Sequence, residues 1–253
     1  MRIVVETGER SAWVTLERPP LNVLDMDLLR ELHQVLTNYA ADTETDVVVL
    51  QGAGERAFSA GVDIQDHTRD TVPAMLDTVH GVIRKLFALP QVTVALVRGL
   101  CLRGGCELAT SCDLVVASEE SSFATPENHV GCYLPVALAR FSSLVDYYRA
   151  AEMILTGRRF SAQEAFHMGL VNRVYSKDRV QEGADGLLEE LLGKSGAVLR
   201  VTLKGLRELS QRGFPEALKR SEEIYCYDLL RTEDADEGVR AFLQKRKPHW
   251  SHR

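Results

Sequence analysis

The sequence predicts an α/β fold that ends in a helical region. Two apolar runs, residues 47–51 and 92–97, are each closed by glycine and have the composition of buried strands. Between them, an apolar stripe at three- and four-residue spacing predicts a helix that ends before Pro90. This repeated order of strand, helix and strand is typical of layered α/β proteins with crossover connections.

The N-terminal part of the chain predicts a hairpin followed by a helix. Residues 2–5 and 12–16 are apolar and β-branched, and they flank the turn-forming sequence Thr-Gly-Glu-Arg-Ser. Apolar side chains then recur every three or four residues from Leu28 to Tyr39, which predicts an amphipathic helix. Asp25, just upstream, has a side chain of the type that caps helix N-termini.

The middle of the chain predicts one further helix and strand before the pattern becomes helical. Gly104-Gly105 opens a helix that runs toward Ser111, and residues 114–117 are strand-like. After Val136 the pattern is mainly helical, with one strand-like interruption at residues 170–174.

A change of pattern near residue 190 predicts two parts of the chain. Residues 1–190 form the α/β core, and residues 191–253 form a C-terminal helical region. Within the second part, amphipathic helices without intervening strands are predicted at residues 198–209, 215–230 and 234–244. Their apolar faces need a surface to pack on, either the core or a neighbouring subunit.

Charge and composition argue against several classes of protein. The 253 residues include 30 basic and 36 acidic side chains, and a net charge of −6 argues against a nucleic-acid-binding protein. The longest strongly apolar run, residues 92–97, is far shorter than the roughly 20 residues that cross a bilayer. We therefore expect no nucleic-acid partner and no membrane partner. The N-terminus has no signal-peptide pattern, which predicts a cytoplasmic protein.

The spacing of cysteines and histidines predicts no metal site. The five cysteines include no Cys-x-x-Cys pair, and no two of the seven histidines are four residues apart. The glycines do not form a phosphate-binding or dinucleotide-binding fingerprint. We therefore expect no metal and no dinucleotide cofactor, and we expect most cysteines to be small core residues.

Three segments are candidates for chemistry: residues 57–64, 103–109 and 123–127. A double glycine at the start of a helix, as in the second segment, lets backbone N–H groups approach a ligand. The positive end of the helix dipole then favours a developing anion. Tight packing of the helix is the alternative explanation for these glycines.

Two glutamates lie in these segments. Glu107 falls in an apolar helical pattern, and the alternative to a functional role is an ion pair with Arg103, four residues earlier. Glu127 follows a proline, and the alternative for it is a solvated loop acid. His129 is expected to be structural or to line a pocket. If the two carboxylates converged, their pKa values would separate, and acid/base chemistry on a single water would become available.

Taken together, these motifs resemble the crotonase (enoyl-CoA hydratase/isomerase) family over nearly the whole chain. The matching motifs, in chain order, are LERP at residues 16–19, AFSAGVDI at 57–64, GGCELA at 104–109, PE at 126–127, LTG at 155–157 and FLQKRKP at 242–248. The resemblance implies a spiral of β-β-α units with a C-terminal helical region, assembled as trimers or dimers of trimers. It also implies an acyl-CoA substrate and no cofactor beyond the coenzyme A carried by that substrate.

The resemblance assigns catalytic roles to four residues. Members of the family polarise the thioester carbonyl with two backbone N–H groups, and the matching positions here are Val62 and Gly104. Hydratases of the family use two glutamates, which match Glu107 and Glu127. Because members that shift double bonds or cleave other bonds often lack one glutamate, the presence of both favours hydration.

The resemblance also predicts residues that bind the CoA part of the substrate. Within one chain they are Arg18, Leu21, Ala60, Asp63 and Ile64. Phe242 and Lys245 are expected to reach the CoA bound to a neighbouring subunit. Their spacing of three predicts that they share one face of a helix.

The sequence departs from the family pattern at two places near the site. Arg103 stands where many members have a glycine, so a cation directly precedes the N–H donor of Gly104. Residues 131–137 resemble the branch that hydrates alicyclic dienoyl-CoA thioesters, such as cyclohexa-1,5-diene-1-carbonyl-CoA. Val136, Leu138 and Ala139 replace glycines of typical hydratases, so we expect them to reshape the helix that begins there and the acyl pocket.

The leading hypothesis from the sequence is an enoyl-CoA hydratase. The enzyme alternative is an enoyl-CoA isomerase or a decarboxylase, which shares the backbone N–H donors but uses no nucleophilic water. A non-catalytic RNA-binding homologue is the alternative from another class. Its basis is the basic pair Arg158-Arg159 and the cluster at residues 245–247, and the net charge of −6 argues against it.

Overall fold

Two β-sheets form the centre of the protein. The computed structural model describes residues 2–210 and 212–253, and in these residues one sheet has six strands and the other has four. The six-stranded sheet has the order β1 (Ile3–Gly8), β2 (Ser11–Leu16), β3 (Val47–Gly52), β5 (Val92–Val97), β7 (Leu114–Ser118) and β10 (Arg173–Tyr175). The four-stranded sheet has the order β4 (Ala57–Ser59), β6 (Leu100–Leu102), β8 (Ser122–Ala124) and β9 (Phe160–Ser161).

Helices surround the two sheets. In the part of the chain that the structure describes they are α1 (Met26–Ala40), α2 (Val72–Ala88), α3 (Gly104–Thr110), α4 (Pro135–Leu144), α5 (Tyr147–Thr156), α6 (Ala162–Met168), α7 (Val180–Leu192), α8 (Gly196–Leu209), α9 (Phe214–Tyr227) and α10 (Glu233–Leu243). Short 3₁₀ helices lie at Ile64–His67, Pro126–Val130 and Leu229–Arg231.

The chain winds between the two sheets in repeated β-β-α units. Strands β3 and β4 precede α2, β5 and β6 precede α3, and β7 and β8 precede α4. Each unit therefore gives one strand to each sheet, and the equivalent strands of successive units pair in parallel. This is the spiral of β-β-α units that the family resemblance implies, and that prediction is confirmed.

The central strand β3 is buried on both faces. Val48 and Leu50 belong to one apolar cluster with residues of α1 and α2, whereas Val47 and Val49 belong to a second cluster with residues of α7 and α8. Successive side chains of a strand point to opposite faces, so helices must cover both sides of this sheet. Leu203 of α8 lies in the second cluster, so the C-terminal helical region packs on the core of its own chain.

The predicted N-terminal elements are confirmed. Strands β1 and β2 form an antiparallel hairpin, and β2 pairs in parallel with β3. Helix α1 buries Leu28, Leu32 and Leu36 along one face. The side chain of Asp25 accepts a hydrogen bond from the backbone N–H of Leu28 at 2.9 Å, so Asp25 is the N-cap of α1.

The strand predicted at residues 170–174 begins later than expected. The backbone N–H groups of Leu170 and Val171 donate to the carbonyl of Ala165, which closes the C-terminal end of α6. These two residues therefore satisfy helix carbonyls and are not available to a sheet ladder. Strand β10 begins only at Arg173.

The C-terminal helices differ in their bounds from the prediction. The helix predicted at residues 215–230 ends at Tyr227, because the chain turns there through a 3₁₀ helix into α10. The boundary predicted near residue 190 falls inside α7, which ends at Leu192. The division into two parts stays a prediction, and a break in the helices comes only after Leu192.

Residues 2–210 and 212–253 contain neither a helix suited to a bilayer nor a cluster suited to a metal ion. No α-helix in that part of the chain combines the length and the hydropathy that crossing a bilayer requires. Nor do these residues bring together three or more His, Cys, Asp or Glu side chains in a way that could hold a metal ion. All five cysteines are free; Cys101, Cys106 and Cys112 are buried in the core, as expected, and Cys226 is exposed.

Candidate active site

The three candidate segments of the sequence meet at one edge of the four-stranded sheet. Strands β4, β6 and β8 are parallel neighbours, so their carboxyl ends lie side by side. Val62 follows β4, Gly104 follows β6 and Glu127 follows β8. In open parallel sheets, this edge is where ligands usually bind.

The loop that carries Val62 lies directly against the start of α3. Gly61 has φ of +97°, and a Cβ atom at that position would lie 2.4 Å from the Cβ atom of Arg103 and 3.1 Å from the backbone nitrogen of Gly104. Only glycine allows both this backbone conformation and this close approach. A Cβ atom on Gly104 would in turn lie 2.9 Å from Cγ2 of Val62, so the second segment also needs glycine.

Two backbone N–H groups at this contact are available to a ligand. The loop is held on both sides of Val62, because Leu24 N donates to the carbonyl of Gly61 at 2.9 Å and Asp63 N donates to the carbonyl of Leu24 at 3.3 Å. Gly104 is the first residue of α3, where N–H groups have no acceptor within the helix. Among the described residues, the N–H groups of Val62 and Gly104 have no hydrogen-bond acceptor.

Glu107 is buried in α3 and its carboxylate contacts the start of α4. The residue is 1% exposed, and Oε1 accepts a hydrogen bond from the backbone N–H of Ala137 at 2.8 Å. Ala137 lies in the first turn of α4, where backbone N–H groups are unpaired and the helix dipole favours an anion. The alternative expectation of an ion pair with Arg103 is wrong, since that contact is not among the ion pairs of the described residues.

Glu127 is also buried, although it lies in a connecting segment. It is 4% exposed within the 3₁₀ helix Pro126–Val130, and its Oε2 atom has no hydrogen-bond partner in the described part of the chain. The alternative of a solvated loop acid is therefore wrong. Nearby, His129 places Nε2 3.1 Å from the carbonyl oxygen of Thr156, which is a structural role.

Burial raises the pKa of both carboxylic acids. The pKa of Glu107 rises from 4.5 to about 7 because burial disfavours the charge; the charge of Glu127 adds to the rise, and the N–H group of Ala137 opposes it. The pKa of Glu127 also rises to about 7 through burial, which a hydrogen bond from its own backbone N–H and then the positive charge of Arg103 oppose. Near neutral pH the pair can therefore hold one proton, so that one acid donates while the other accepts.

The comparison with known proteins gives a consistent result. The sequence profile of the family described as Enoyl-CoA hydratase/isomerase matches residues 6–253. A probable enoyl-CoA hydratase from Rhizobium meliloti is 35% identical, over 99% of this chain and 98% of the relative. The chain belongs to the enoyl-CoA hydratase/isomerase family. A carnitinyl-CoA dehydratase from Escherichia coli is 32% identical, over 95% of this chain and 94% of the relative.

A solved structure agrees with this assignment. The crystal structure of an enoyl-CoA hydratase from Bacillus anthracis has a TM-score of 0.95 against this chain. The sequences of the two are 30% identical, and the superposition covers 100% of both chains. The fold of the described residues is therefore the crotonase fold.

Four of the residues predicted to bind CoA within one chain lie close together. Arg18 places Nε 3.2 Å from Asp25 and Nη1 3.9 Å from Asp63. Ala60 donates its backbone N–H to the carbonyl of Leu21 at 2.9 Å. Ile64, the fifth, follows Asp63 and is 51% exposed. Because Ala60 precedes the loop of Gly61 and Val62, this group adjoins the two available N–H groups.

Phe242 lies on α10, which packs against α8 and the 3₁₀ helix Leu229–Arg231, and Lys245 follows that helix. Phe242 is 82% exposed, at the end of α10. The prediction that the two share one helix face is wrong, because α10 ends at Leu243 and Lys245 has φ of +53°. Their predicted contact with the CoA of a neighbouring subunit stays a prediction.

The sequence did not identify Ala137 as a partner of Glu107. The signal that exists is Pro135, a residue typical of the first position of a helix, which indicates that the next N–H groups are unpaired. That signal locates the donors but not the acceptor, since Glu107 lies 30 residues earlier.

Proposed function

We propose that this protein is an enoyl-CoA hydratase, which adds water across the conjugated C=C bond of an acyl-CoA thioester. The observation that carries the proposal is the combination of two buried carboxylic acids, each with its pKa raised to about 7, at the same sheet edge as two N–H groups without acceptors. Hydration needs both parts, because it develops negative charge on the thioester oxygen and transfers two protons.

The backbone N–H groups of Val62 and Gly104 would bind the thioester carbonyl oxygen. When water attacks the β-carbon, the electron pair of the C=C bond moves toward that oxygen and forms an enolate. Donors that are fixed before the reaction stabilise this charge without reorganisation, and loss of one such donor typically costs about 3 to 4 kcal/mol. Because the backbone donates, the side chain of Val62 is not constrained by this role.

The two glutamates differ in a way that suggests their roles. Ala137 donates a hydrogen bond to Glu107, which favours its carboxylate form and suits it to accept a proton from the attacking water. Glu127 has an oxygen without a partner, which favours the protonated form, so it would deliver its proton to the α-carbon of the enolate. After each turnover the pair has exchanged protonation states, and exchange with solvent restores the starting state.

We propose that the CoA part of the substrate binds to Arg18, Leu21, Ala60, Asp63 and Ile64, because this group of residues adjoins the two N–H donors. We further propose that the chain assembles as a trimer or dimer of trimers, in which Phe242 and Lys245 reach a neighbouring subunit's CoA. The exposure of Phe242 and of Leu243, 82% and 74%, supports a contact surface there.

The same machinery would also run in reverse. One relative is named for the dehydration of carnitinyl-CoA, and a catalyst of hydration also catalyses dehydration of the corresponding 3-hydroxyacyl-CoA. The likeness of residues 131–137 to the alicyclic dienoyl-CoA branch adds a second substrate to test, cyclohexa-1,5-diene-1-carbonyl-CoA.

The test is a spectrophotometric assay that follows the loss of the conjugated thioester absorbance of crotonyl-CoA and of the cyclic diene. We expect Glu107→Gln and Glu127→Gln each to lower kcat by roughly 10²- to 10⁴-fold, the usual contribution of a general acid or base. Glu119→Gln, which changes an exposed glutamate after β7, is the matched control and should leave kcat unchanged.

Three outcomes would contradict the hydratase assignment. Full hydration in both glutamine variants would exclude the two-glutamate mechanism. Double-bond migration or loss of CO₂ from acyl-CoA substrates, without hydration, would identify an isomerase or a decarboxylase. Tight RNA binding that weakens steeply with salt, without turnover of any acyl-CoA, would identify a binding protein.

A further inference from the structure

Arg103 lies between the two parts of the proposed site. Its backbone N–H donates to the carbonyl of Ala124 at 2.8 Å, three residues before Glu127, and the residue after it is Gly104. Its Cβ atom lies against Gly61, where an added Cβ would approach to 2.4 Å. The side chain therefore starts between the available N–H groups and the segment that leads to Glu127.

The guanidinium group of Arg103 has no partner within the described residues. Neither an ion pair nor a side-chain hydrogen bond involves it, although the side chain is only partly exposed. Its positive charge lowers the pKa of Glu127, so it lies near that carboxyl group, yet it forms no ion pair with it. A partly buried guanidinium has five donors and is most stable opposite an anion.

The backbone at Arg103 is unfavourable for a side chain of any size. Its φ is +57° and its ψ is −137°, a region that glycine occupies readily and arginine rarely does. Strained residues persist where the surrounding structure holds them, and they are concentrated at functional sites. Glycine would relieve the strain here, so an arginine at this position points to a use for its charge.

We propose that Arg103 selects acyl-CoA substrates whose acyl group carries a carboxylate. This inference rests on the proposed function, since it takes the thioester carbonyl to be bound at Gly104. The reacting carbons of the acyl group would lie between Gly104 and Glu127, and the charge of Arg103 acts on Glu127, so the guanidinium is on the side of the acyl part. The phosphates of CoA lie at the far end of the pantetheine arm. Arginine pairs with carboxylates through two parallel hydrogen bonds.

The charge of the site explains why such a substrate needs this cation. An acyl carboxylate would otherwise enter a partly desolvated site in which the two glutamates share one negative charge, and like charges at short distance repel. The guanidinium offsets that repulsion. The guanidinium itself repels an acyl group that carries a quaternary ammonium, as in carnitinyl-CoA.

Equilibrium binding tests this inference without turnover. Butyryl-CoA and glutaryl-CoA are both saturated, so neither can be hydrated. Glutaryl-CoA is butyryl-CoA with a carboxylate added at the end of the acyl chain. We expect the wild-type protein to bind glutaryl-CoA at least tenfold more tightly than butyryl-CoA, measured by calorimetry. Arg103→Gly should remove this preference and leave the affinity for butyryl-CoA within about twofold, whereas Arg103→Lys should keep part of it.

Arg159→Gln is the matched control, since it removes one exposed positive charge outside the site and should leave the ratio of the two affinities unchanged. Thermal unfolding of Arg103→Gly should show no loss of stability, because glycine suits the backbone at this position.

Equal affinities of the wild type for glutaryl-CoA and butyryl-CoA would overturn the proposal, as would an undiminished preference for glutaryl-CoA in Arg103→Gly. Arg103 would then have only an electrostatic effect on Glu127.

Turnover separates a failure of this inference from a failure of the proposed function. Glutaconyl-CoA is crotonyl-CoA with an added terminal carboxylate, and we expect its kcat/KM to exceed that of crotonyl-CoA at least tenfold in the wild type and to match it in Arg103→Gly. If neither compound is hydrated, the hydratase assignment fails, whereas the binding ratio still decides the role of Arg103. If crotonyl-CoA and glutaconyl-CoA are hydrated with equal kcat/KM in the wild type, the hydratase assignment stands and the proposed substrate selection fails.

Discussion

Two regions of the molecule each shield a carboxylate from solvent, yet the pKa values of the two acids shift in opposite directions. Asp234, at the start of α10, is 2% exposed, and Glu127, in the site, is 4% exposed. Burial alone would raise the pKa of both. Nevertheless, the pKa of Asp234 lies below its usual value, whereas that of Glu127 rises to about 7.

One difference between these two acids is the number of hydrogen-bond donors that each carboxylate accepts from. Asp234 accepts hydrogen bonds from the side chain of Ser195, from the backbone and side chain of Ser251, and from the backbone N–H of His252. Oε2 of Glu127 has no donor among the described residues. Donors to the charged form offset the cost of burying it, so the scarcity of donors, together with burial, raises the pKa of Glu127 to about 7.

A second buried acid, which lies where the C-terminal helices meet the sheets, also has the partners that Oε2 of Glu127 lacks. Asp46 is 2% exposed and pairs with both Arg10 and Arg200, the latter from α8. Gly196 makes this possible, because a Cβ atom there would lie 2.0 Å from Oδ1 of Asp46. This chain can therefore satisfy a buried acid fully, and the sparse surroundings of Glu127 are a local property of the site.

The largest effect on stability is expected from removing the charge of Asp46. Asp46→Asn leaves the guanidinium groups of Arg10 and Arg200 facing a neutral amide in a largely buried place. Breaking such a pair typically costs about 3 to 5 kcal/mol of unfolding free energy, which urea unfolding would measure. Glu152→Gln is the control, since its ion pair with Arg158 is about half exposed and should contribute about 1 kcal/mol or less.

A loss of less than 1 kcal/mol in Asp46→Asn would contradict the distinction between the two regions.

The next effect concerns the pH dependence of stability at Glu127. Its pKa is raised from 4.5 to about 7 on folding, so the stability it contributes is fully present below pH 4.5 and is lost as the pH rises through 7. The unfolding free energy of the wild type should therefore fall by about 3 kcal/mol relative to Glu127→Gln between pH 4 and pH 8. Urea unfolding of both proteins across this range measures the change.

In the same experiment, the pH dependence at Asp234 should have the opposite sign: the unfolding free energy of the wild type should rise relative to that of Asp234→Asn as the pH increases. Because folding lowers the pKa of Asp234, its contribution is present above its unfolded value of 3.8 and is lost as the pH falls through the folded value. For Glu127, a difference in unfolding free energy between the wild type and Glu127→Gln that does not vary with pH would show that this acid has its ordinary pKa in the folded protein.

The smallest effect is expected on the pH profile of catalysis. If Glu127 donates a proton and Glu107 accepts one, kcat/KM should follow a bell-shaped curve centred near pH 7, because activity needs the pair to hold one proton. Arg103 lowers the pKa of Glu127, so Arg103→Gly should move the alkaline limb to higher pH. Initial rates with crotonyl-CoA at low concentration measure both limbs.

Arg159→Gln should leave both limbs in place. An alkaline limb that moves to lower pH in Arg103→Gly would exclude Glu127 as the group whose deprotonation ends activity.

Much of the fold could be predicted from the sequence because its signals are local. The apolar spacing from Leu28 to Tyr39 and the cap at Asp25 specify α1 without reference to the rest of the chain. The apolar runs that become β3 and β5 are buried on both faces, so their composition alone indicates their position. Errors occur at ends, as at Leu170 and Lys245, where a cap or a turn decides the boundary.

The site could be predicted in its residue types but not in its arrangement. The motifs indicated Val62, Gly104, Glu107 and Glu127, and they left open an ion pair for one glutamate and solvent for the other. Those alternatives were wrong because burial and partners depend on distant segments. The hydrogen bond from Ala137 to Glu107 joins residues 30 positions apart.

The sequence by itself determined the alternation of strands and helices, the membership of the family and the residues that could do chemistry, since these depend on spacing and residue type. Only the tertiary structure decided that the carboxyl ends of β4, β6 and β8 lie side by side, and that Oε2 of Glu127 is buried without a donor while Asp234 is buried with several. The physical reason is that the pKa of a buried acid is set by the donors and charges around it, which parallel strands and packed helices bring from distant parts of the chain.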